Sequence, residues 1–189
     1  MVRLVAGRLG GRRLVAPRDA ATRPTSEKVR EAIFAILGAP GESVLDLYAG
    51  SGALGLEALS RGAQRLVVVE SRRPALDALR TNLTALGVEA DVTVVPRPVE
   101  RSAASLAPLG PFSLVVADPP YALVETGAVS RALEGLVAAG LLAPGGRLVL
   151  EHASRSEPPV LAGLSLDDSR RYGDTTVSFY CSEGEGDGE

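Results

Sequence analysis

Short apolar runs alternate along most of the chain with longer segments in which apolar residues recur every three or four positions. The runs predict strands at 44–48, 65–70, 91–96, 112–118 and 146–152, and the helical spacing predicts helices at 27–37, 53–61, 73–86, 99–106 and 124–139. Strands that alternate with helices favour a parallel sheet with helices on both faces. The pattern therefore predicts an α/β fold.

The N-terminal arm, predicted to span 1–22, has a different pattern. Two loosely apolar stretches, Val2–Ala6 and Arg12–Ala16, flank a turn at Gly10-Gly11 and predict a small β-hairpin. Residues 1–30 contain eight basic and two acidic side chains, while the whole chain has a net charge of −3. A basic arm on an acidic body is typical of contact with a phosphate backbone. The candidate residues for this phosphate contact are Arg3, Arg8, Arg12, Arg13 and Arg18.

The C-terminal region also departs from the alternating pattern. The segments 164–172 and 175–180 flank Gly173-Asp174 and predict a hairpin, which adds an antiparallel strand to the sheet. The acidic, glycine-rich tail at 183–189 is predicted to be disordered. We therefore expect one domain over 23–182, preceded by the arm and followed by the tail.

A glycine-rich motif lies between the first predicted strand of the alternating region and the helix that follows it. The segment Gly50–Gly55 has the spacing G-x-G-x-x-G. Gly50 and Gly52 would let the backbone approach a ligand closely, and Gly55 would let the helix pack on the sheet. Glu70 ends the next predicted strand, where a pair of ribose hydroxyls is usually held. These features fit NAD as well as S-adenosylmethionine.

Asp46 favours S-adenosylmethionine over NAD. It lies near the end of the strand that precedes the glycine motif. A carboxylate at this place would attract the positively charged methionine part of S-adenosylmethionine and would repel a pyrophosphate.

The tetrapeptide Asp118-Pro119-Pro120-Tyr121 follows an apolar predicted strand, at the sheet edge where ligands bind in open α/β folds. Two consecutive prolines make the turn stiff. The carboxylate of Asp118 and the carbonyl of Pro119 are therefore expected to be fixed acceptors for the two N–H groups of a flat exocyclic amine. Tyr121 offers a ring that can stack on the base. The alternative interpretation is a proline-rich turn with a structural role.

Composition narrows the possible chemistry. The chain has 189 residues, of which 46% are hydrophobic, enough for the core of one domain. With one cysteine, Cys181, and one histidine, His152, neither an intramolecular disulfide nor a metal cluster is expected. No apolar run approaches the length of a membrane span and no signal peptide is evident, so a cytoplasmic location is expected. The chemistry is expected to depend on carboxylates, backbone and an organic cofactor.

Together these motifs resemble the class I S-adenosylmethionine-dependent methyltransferases and, more narrowly, the RsmD family, which methylates the N2 amine of one guanine in 16S ribosomal RNA. The resemblance extends to about Tyr180. It is carried by Arg3–Gly7 with Gly11–Leu14, Arg23–Thr25 with Val29–Ala32, Asp46–Ala58, Asp118–Tyr121, and Tyr172–Thr175 with Phe179–Tyr180. It implies a Rossmann-like fold with a mostly parallel seven-stranded sheet, an antiparallel C-terminal strand and a small N-terminal hairpin.

The resemblance also implies the cofactor, the partner and the roles of individual residues. The cofactor would be S-adenosylmethionine, and the partner 16S rRNA in an assembled or assembling small subunit, bound by a monomer. In such enzymes the end of the third strand often supplies an acid or amide to the adenine. Here that stretch is Pro96–Val99, which departs from the pattern and leaves the backbone near Pro98 and Val99 as the candidate adenine contact. The implied cofactor-binding residues are Asp46, Tyr48, Ala49, Gly50, Ser51, Gly52, Gly55, Glu70, Pro98 and Val99, with Arg23 and Thr25 beside the cofactor. The implied catalytic residues are Asp118, Pro119, Pro120 and Tyr121.

Two further hypotheses remain open at this point. An amino-methyltransferase acting on adenine N6 in DNA or on a protein glutamine would use a similar tetrapeptide, although the basic hairpin argues against it. An NAD-dependent oxidoreductase or a non-catalytic binding module would use the same glycine motif. The oxidoreductase is disfavoured because the chain has no Tyr-x-x-x-Lys pair and its one lysine is Lys28.

Overall fold

The computed structural model describes residues 2–17 and 26–182, and within these ranges it contains two sheets. The elements in chain order are β1 (Val2–Arg3), β2 (Arg13–Leu14), α1 (Glu27–Leu37), β3 (Ser43–Leu47), α2 (Ala53–Ser60), β4 (Arg65–Val69), α3 (Arg73–Leu86), β5 (Val92–Val95), α4 (Ala103–Leu106), β6 (Phe112–Ala117), α5 (Tyr121–Glu125), α6 (Ala128–Ala138), β7 (Leu142–Ala153), β8 (Leu164–Tyr172) and β9 (Thr175–Ser182). Short 3₁₀ turns lie at Glu89–Asp91, Val99–Arg101 and Ala107–Leu109.

The main sheet has seven strands in the order β5-β4-β3-β6-β7-β9-β8. The five strands from β5 to β7 are parallel, and β9 is antiparallel to both of its neighbours. The chain first moves outward from β3 to β5 and then returns to place β6 on the other side of β3. Ligands of open α/β sheets bind at this kind of reversal, outside the carboxyl ends of the strands. The topology therefore places the expected site outside the carboxyl ends of β3 and β6.

Two hydrophobic cores lie on opposite faces of the sheet. Val44 on β3 belongs to the core beneath α1, α2 and the N-terminal hairpin, whereas Leu45 and Leu47 belong to the core beneath α6. Successive side chains of a strand point to opposite faces, so the apolar run of β3 supplies both cores. The continuous apolar character of these strands is explained by burial on both sides.

The predicted fold class is confirmed, and the boundaries of the parallel strands, α1, α2 and α3 agree with the sequence-based predictions to within a few residues. The predicted helix at 99–106 is wrong as a single element, because it consists of a 3₁₀ turn and the four-residue α4. Ser102 donates a side-chain hydrogen bond to the carbonyl of Val99 (2.8 Å), a local bond that competes with regular helix.

The predicted helix at 124–139 is also wrong as a single element. It is divided into α5, which begins at Tyr121, and α6, because Gly127 adopts a left-handed conformation with φ of +72°. The apolar spacing continues through this break, so periodicity did not reveal it.

The N-terminal hairpin is shorter than expected but firmly attached to the body. Its two strands pair through only two residues each.

The predicted disordered tail at 183–189 lies outside the described residues. No helix in the described part of the chain is both long and apolar enough to cross a membrane.

Candidate active site

The carboxyl ends of four parallel strands bring the predicted site residues to one edge of the sheet. The glycine motif follows β3, Glu70 follows β4, Pro98 and Val99 follow β5, and the tetrapeptide Asp118–Tyr121 follows β6. Parallel strands all end at the same edge, so residues separated by tens of positions in the chain are brought together.

Asp46 lies one residue before the end of β3 and holds the glycine motif in place. Its side chain is buried, and its Oδ2 atom accepts a hydrogen bond from the backbone N–H of Gly55 at 2.8 Å. A Cβ atom on residue 55 would lie 2.9 Å from that same oxygen, so only glycine allows α2 to pack this closely on β3. This packing is the role expected of Gly55.

The environment of Asp46 stabilises its neutral form. Burial raises the pKa of Asp46 to about 8, the Gly55 hydrogen bond opposes this rise, and the charges of Asp118 and Glu70 add to it. Glu70 and Asp118 directly follow β4 and β6, the two strands that flank β3, so their carboxyl groups lie at the same edge of the sheet as Asp46. The charges of Glu70 and Asp118 at this edge favour a positively charged ligand.

Glu70 links the glycine motif to the start of α3. Its Oε2 atom accepts from the N–H of Gly50 at 2.9 Å, while its Oε1 atom accepts from the N–H groups of Ser71 (2.7 Å) and Arg72 (2.8 Å). The side chain is 7% exposed. A carboxylate can accept about four hydrogen bonds. Beyond these three, Glu70 can therefore accept a further hydrogen bond, for example from a ribose hydroxyl.

The first residues after β3, which are predicted to contact the cofactor, also lie at this edge of the sheet. Tyr48 has a positive φ of +57°, which is uncommon for a residue with a side chain and is typical of functional sites. Its hydroxyl donates to Oε1 of Glu100 at 3.1 Å. Burial, followed by the nearby Glu100 carboxylate, raises the pKa of Tyr48 above its ordinary value. Ala49 donates its backbone N–H to the carbonyl of Val69 at 3.1 Å, which joins this segment to β4.

Glu100, which accepts the hydrogen bond of Tyr48, is not among the site residues predicted from the sequence. Among the predicted adenine contacts that precede it, Pro98 is exposed and Val99 is buried in the core. Glu100 is the first acidic residue after β5, and this is the signal in the sequence that could have revealed it.

The tetrapeptide forms the other side of the site. Asp118 is half-buried, Pro119 is buried and Pro120 is exposed immediately before α5. The hydroxyl of Tyr121 lies 2.7 Å from Oγ1 of Thr175, the first residue of β9. The charge of Asp118 contributes to the raised pKa of Asp46, which lies on the neighbouring strand β3.

The arginines of the N-terminal arm that the structure describes lie on the surface, and most of them are paired with the body. Arg3 forms an ion pair with Glu27 (3.1 Å), and Arg8 forms one with Asp91 (2.8 Å). Exposed ion pairs contribute little stability, so phosphate groups can compete for these guanidinium groups. Of the other predicted residues of this region, Arg12 donates to the carbonyl of Ala85 at 2.9 Å, Arg13 is exposed, and Arg18, Arg23 and Thr25 lie outside the described residues.

Three buried polar side chains, none of them assigned a role from the sequence, attach the arm. Glu57 on α2 accepts from the N–H groups of Val5 and Ala6, and Ser60 accepts from the N–H of Leu9 at 2.9 Å. Asn82 on α3 then contacts both the arm and the glycine motif. Its Oδ1 atom accepts from the N–H of Val15 at 2.7 Å, and its Nδ2 atom donates to the carbonyls of Val15 and Ser51, both at 3.0 Å.

The family model described as conserved hypothetical protein 95 matches residues 2–181. The chain belongs to this family, the RsmD family. Ribosomal RNA small subunit methyltransferase D of Escherichia coli (strain K12) is 34% identical over 194 residues, which cover 100% of this chain and 93% of that protein.

Solved structures agree with the fold. A hypothetical protein of Thermus thermophilus is 33% identical, covers 95% of this chain and 98% of its own, and has a TM-score of 0.79. An RNA methyltransferase from Salinibacter ruber, solved with S-adenosyl-L-homocysteine, has a TM-score of 0.63 at 18% identity and covers 88% of this chain and 98% of its own. This family member therefore has the class I methyltransferase fold predicted from its sequence.

Proposed function

We propose that this chain is an S-adenosylmethionine-dependent methyltransferase that modifies the exocyclic N2 amine of one guanine in 16S rRNA of the small ribosomal subunit. The observation that carries the proposal is the parallel pairing of β3 with β6, in which Leu47, just before the glycine motif, lies beside Ala117, just before the tetrapeptide. It indicates that the residues expected to hold the methyl donor and those expected to hold the amine share one edge of the sheet. The name of the Escherichia coli relative, a small-subunit rRNA methyltransferase, supports the substrate class.

The charge of the edge fits S-adenosylmethionine. Asp46, Glu70 and Asp118 lie at this edge, and a sulfonium and an ammonium group would favour the ionised form of Asp46. Glu70 retains acceptor capacity for a ribose hydroxyl, and the glycine motif allows backbone to approach the ligand. The backbone around Pro98 and Val99 would border the adenine. Arg23 and Thr25 remain predicted neighbours of the cofactor.

The main tasks of the chain in this reaction are alignment and desolvation. When bound, S-adenosylmethionine supplies a methyl group that is already activated on a sulfonium. The guanine N2 lone pair is delocalised into the ring, so the amine must be held in the correct orientation. Asp118 and the Pro119 carbonyl would accept its two N–H groups and stabilise the positive charge that develops on nitrogen. Asp118 is also the group that can accept the released proton.

The target base must leave its stack to reach these acceptors. Tyr121 would stack on the exposed base, a contribution of roughly 1–3 kcal/mol in single-strand binders. The arm, attached to α2 through Glu57, would contact phosphates with Arg3, Arg8, Arg12, Arg13 and Arg18. We propose that the monomer acts on an assembled or assembling subunit, which corresponds to the cytoplasmic location expected from the sequence.

The test is methyl transfer from radiolabelled S-adenosylmethionine to small ribosomal subunits that lack the modification, followed by nucleoside analysis. Label in N2-methylguanosine is the expected result. Label in N6-methyladenosine would retain the cofactor but overturn the choice of base. Binding of the cofactor without any transfer to the subunit, to 16S rRNA or to protein would contradict the enzymatic proposal.

A further inference from the structure

The turn between β8 and β9 lies beyond the carboxyl ends of the parallel strands, at the edge of the sheet where the tetrapeptide follows β6. Strand β7 pairs with β6 until Leu150 lies beside Ala117, and it then continues to Ala153. With a rise of about 3.3 Å per residue, Ala153 lies roughly 10 Å beyond the end of β6. Thr175 pairs with Ala153 and therefore lies at about the same distance beyond the end of β6. The tetrapeptide follows β6 and occupies this region of the molecule.

In this region Thr175 contacts the tetrapeptide directly. Its Oγ1 atom lies 2.7 Å from the hydroxyl oxygen of Tyr121, which is the usual length of an O–H···O hydrogen bond. The contact is partly buried and joins residues 54 positions apart in the chain. A bond at the far end of a tyrosine ring restricts the orientation of the ring as well as its position.

Thr175 is itself held rigidly. It pairs with Ala153 on one side and with Tyr172 on the other, so both flanking strands define its backbone. The N–H of Ser154 donates to the carbonyl of Asp174 at 2.9 Å, which fixes the adjacent turn. The turn has only two central residues, and the first, Gly173, has a φ of +64°, as two-residue hairpin turns require. The β-branched side chain of Thr175 also has few rotamers.

We propose that Thr175 is a positioning residue for the target base: its hydroxyl holds the Tyr121 ring in the orientation that stacks on the guanine. This inference rests on the proposed function and extends it, because it gives the C-terminal hairpin a part in recognising the substrate. A ring ordered before binding loses less conformational entropy when the base arrives. The effect acts on the RNA side of the reaction, since Thr175 contacts Tyr121 and the cofactor residues lie on other strands.

The test uses isosteric variants of the whole protein. Thr175→Val and Tyr121→Phe each remove the hydrogen bond, whereas Thr175→Ser retains a hydroxyl. Thr176→Val is the matched control, because Thr176 is a buried threonine on the same strand whose side chain points to the opposite face. For each variant we would measure kcat and KM for undermethylated small subunits, the affinity for S-adenosylmethionine, and the Tm.

The expected result is a loss of kcat/KM of roughly threefold to tenfold in Thr175→Val and in Tyr121→Phe, the range of one net hydrogen bond. The loss should appear mainly in KM for the subunit, with cofactor affinity unchanged. The double variant should lose no more than Tyr121→Phe alone, because Thr175→Val removes a bond that Tyr121→Phe has already removed. Thr175→Ser should recover most of the activity, and Thr176→Val should match the wild type.

Wild-type kcat/KM in Thr175→Val would overturn the inference while leaving the proposed function intact. Equal losses in Thr175→Ser and Thr175→Val would also overturn it, as would multiplicative losses in the double variant. If Thr175→Val does not fold, Tyr121→Phe tests the same bond from its other side, and full activity in that variant overturns the inference. A wild-type protein that makes no N2-methylguanosine overturns the proposed function and, with it, the role given to Thr175.

Discussion

The carboxylate of Glu57 accepts a hydrogen bond from the backbone N–H of Val5 at 2.7 Å, across 52 positions of the chain. Glu57 also accepts from the N–H of Ala6 at 3.0 Å and from Nε of Arg61 at 2.8 Å, and its side chain is fully buried. Arg61 in turn lies over the ring of Phe34, 5.1 Å from its centroid. One acidic side chain therefore joins the N-terminal arm to α2 and, through Arg61, to α1.

We expect Glu57→Gln to weaken the attachment of the arm while leaving the predicted cofactor site intact. An amide has one acceptor oxygen and would leave at least one of these buried donors unpaired, which costs about 1–3 kcal/mol. Urea unfolding should show this loss, and binding of 16S rRNA should weaken while the affinity for S-adenosylmethionine remains unchanged. The control is Glu134→Gln, since Glu134 accepts one N–H, from Ala162, at an exposed position. An unaltered RNA affinity in Glu57→Gln would contradict a role of the arm in RNA binding.

The raised pKa of Asp46 predicts that stability decreases as the pH rises toward 8. The pKa of this carboxyl is about 8 in the folded protein, mainly because of burial, against an ordinary value of 3.8. The folded state therefore binds the proton more tightly than the unfolded state does. The stabilisation is fully present below about pH 3.8 and is lost as the pH rises through about 8. Urea unfolding between about pH 5 and 9 should show this decrease, and Asp46→Asn should remove it.

Binding of the cofactor should reverse the preference of Asp46 for its neutral form. A cation beside a carboxyl group favours the ionised state and lowers the pKa. We therefore expect proton release on binding of S-adenosylmethionine near neutral pH, and an affinity that rises with pH up to about 8. Calorimetry in buffers of different ionisation enthalpy would measure the released proton. Equal proton release by Asp46→Asn would assign it to another group.

We expect Asp118→Ala to lose most of its turnover and to retain the cofactor. The substitution removes the acceptor that would hold the amine and stabilise its developing charge, an effect of about two to three orders of magnitude for comparable groups. Asp77→Ala, at an exposed position on α3, provides the matched control. Single-turnover methyl transfer and equilibrium binding of S-adenosylmethionine would separate the two functions. Unimpaired turnover would exclude Asp118 from the mechanism.

Arg13 is expected to contribute to RNA binding through charge alone. It lies exposed on β2, and each phosphate contact that is lost reduces the slope of log K against log salt by roughly 0.7–0.9. Arg13→Ala should therefore weaken binding and flatten the salt dependence by about that amount. Arg131→Ala removes an equally exposed arginine from α6, on the opposite face of the sheet, and should leave the slope unchanged. An unchanged slope in Arg13→Ala would remove this residue from the RNA interface.

Local patterns along the chain were enough to predict the fold class and the approximate place of the site. Apolar periodicity is local information, and it defined the five parallel strands and most helices because each strand is buried on both faces. Parallel strands end at a common edge, so the positions of Asp46, Glu70 and Asp118 near strand ends were sufficient to predict that they meet.

The side chains that hold these parts together became visible only in the packed structure. Glu57 with Val5, Tyr121 with Thr175 and Asn82 with Val15 are pairs separated by 52, 54 and 67 positions. No pattern of spacing specifies such pairs, because each bond depends on the packing of elements that are distant in the chain. The pKa of Asp46 depends in the same way on complete burial beneath the glycine motif. The sequence thus predicted where the chemistry lies, and three-dimensional packing determined how its residues are positioned and charged.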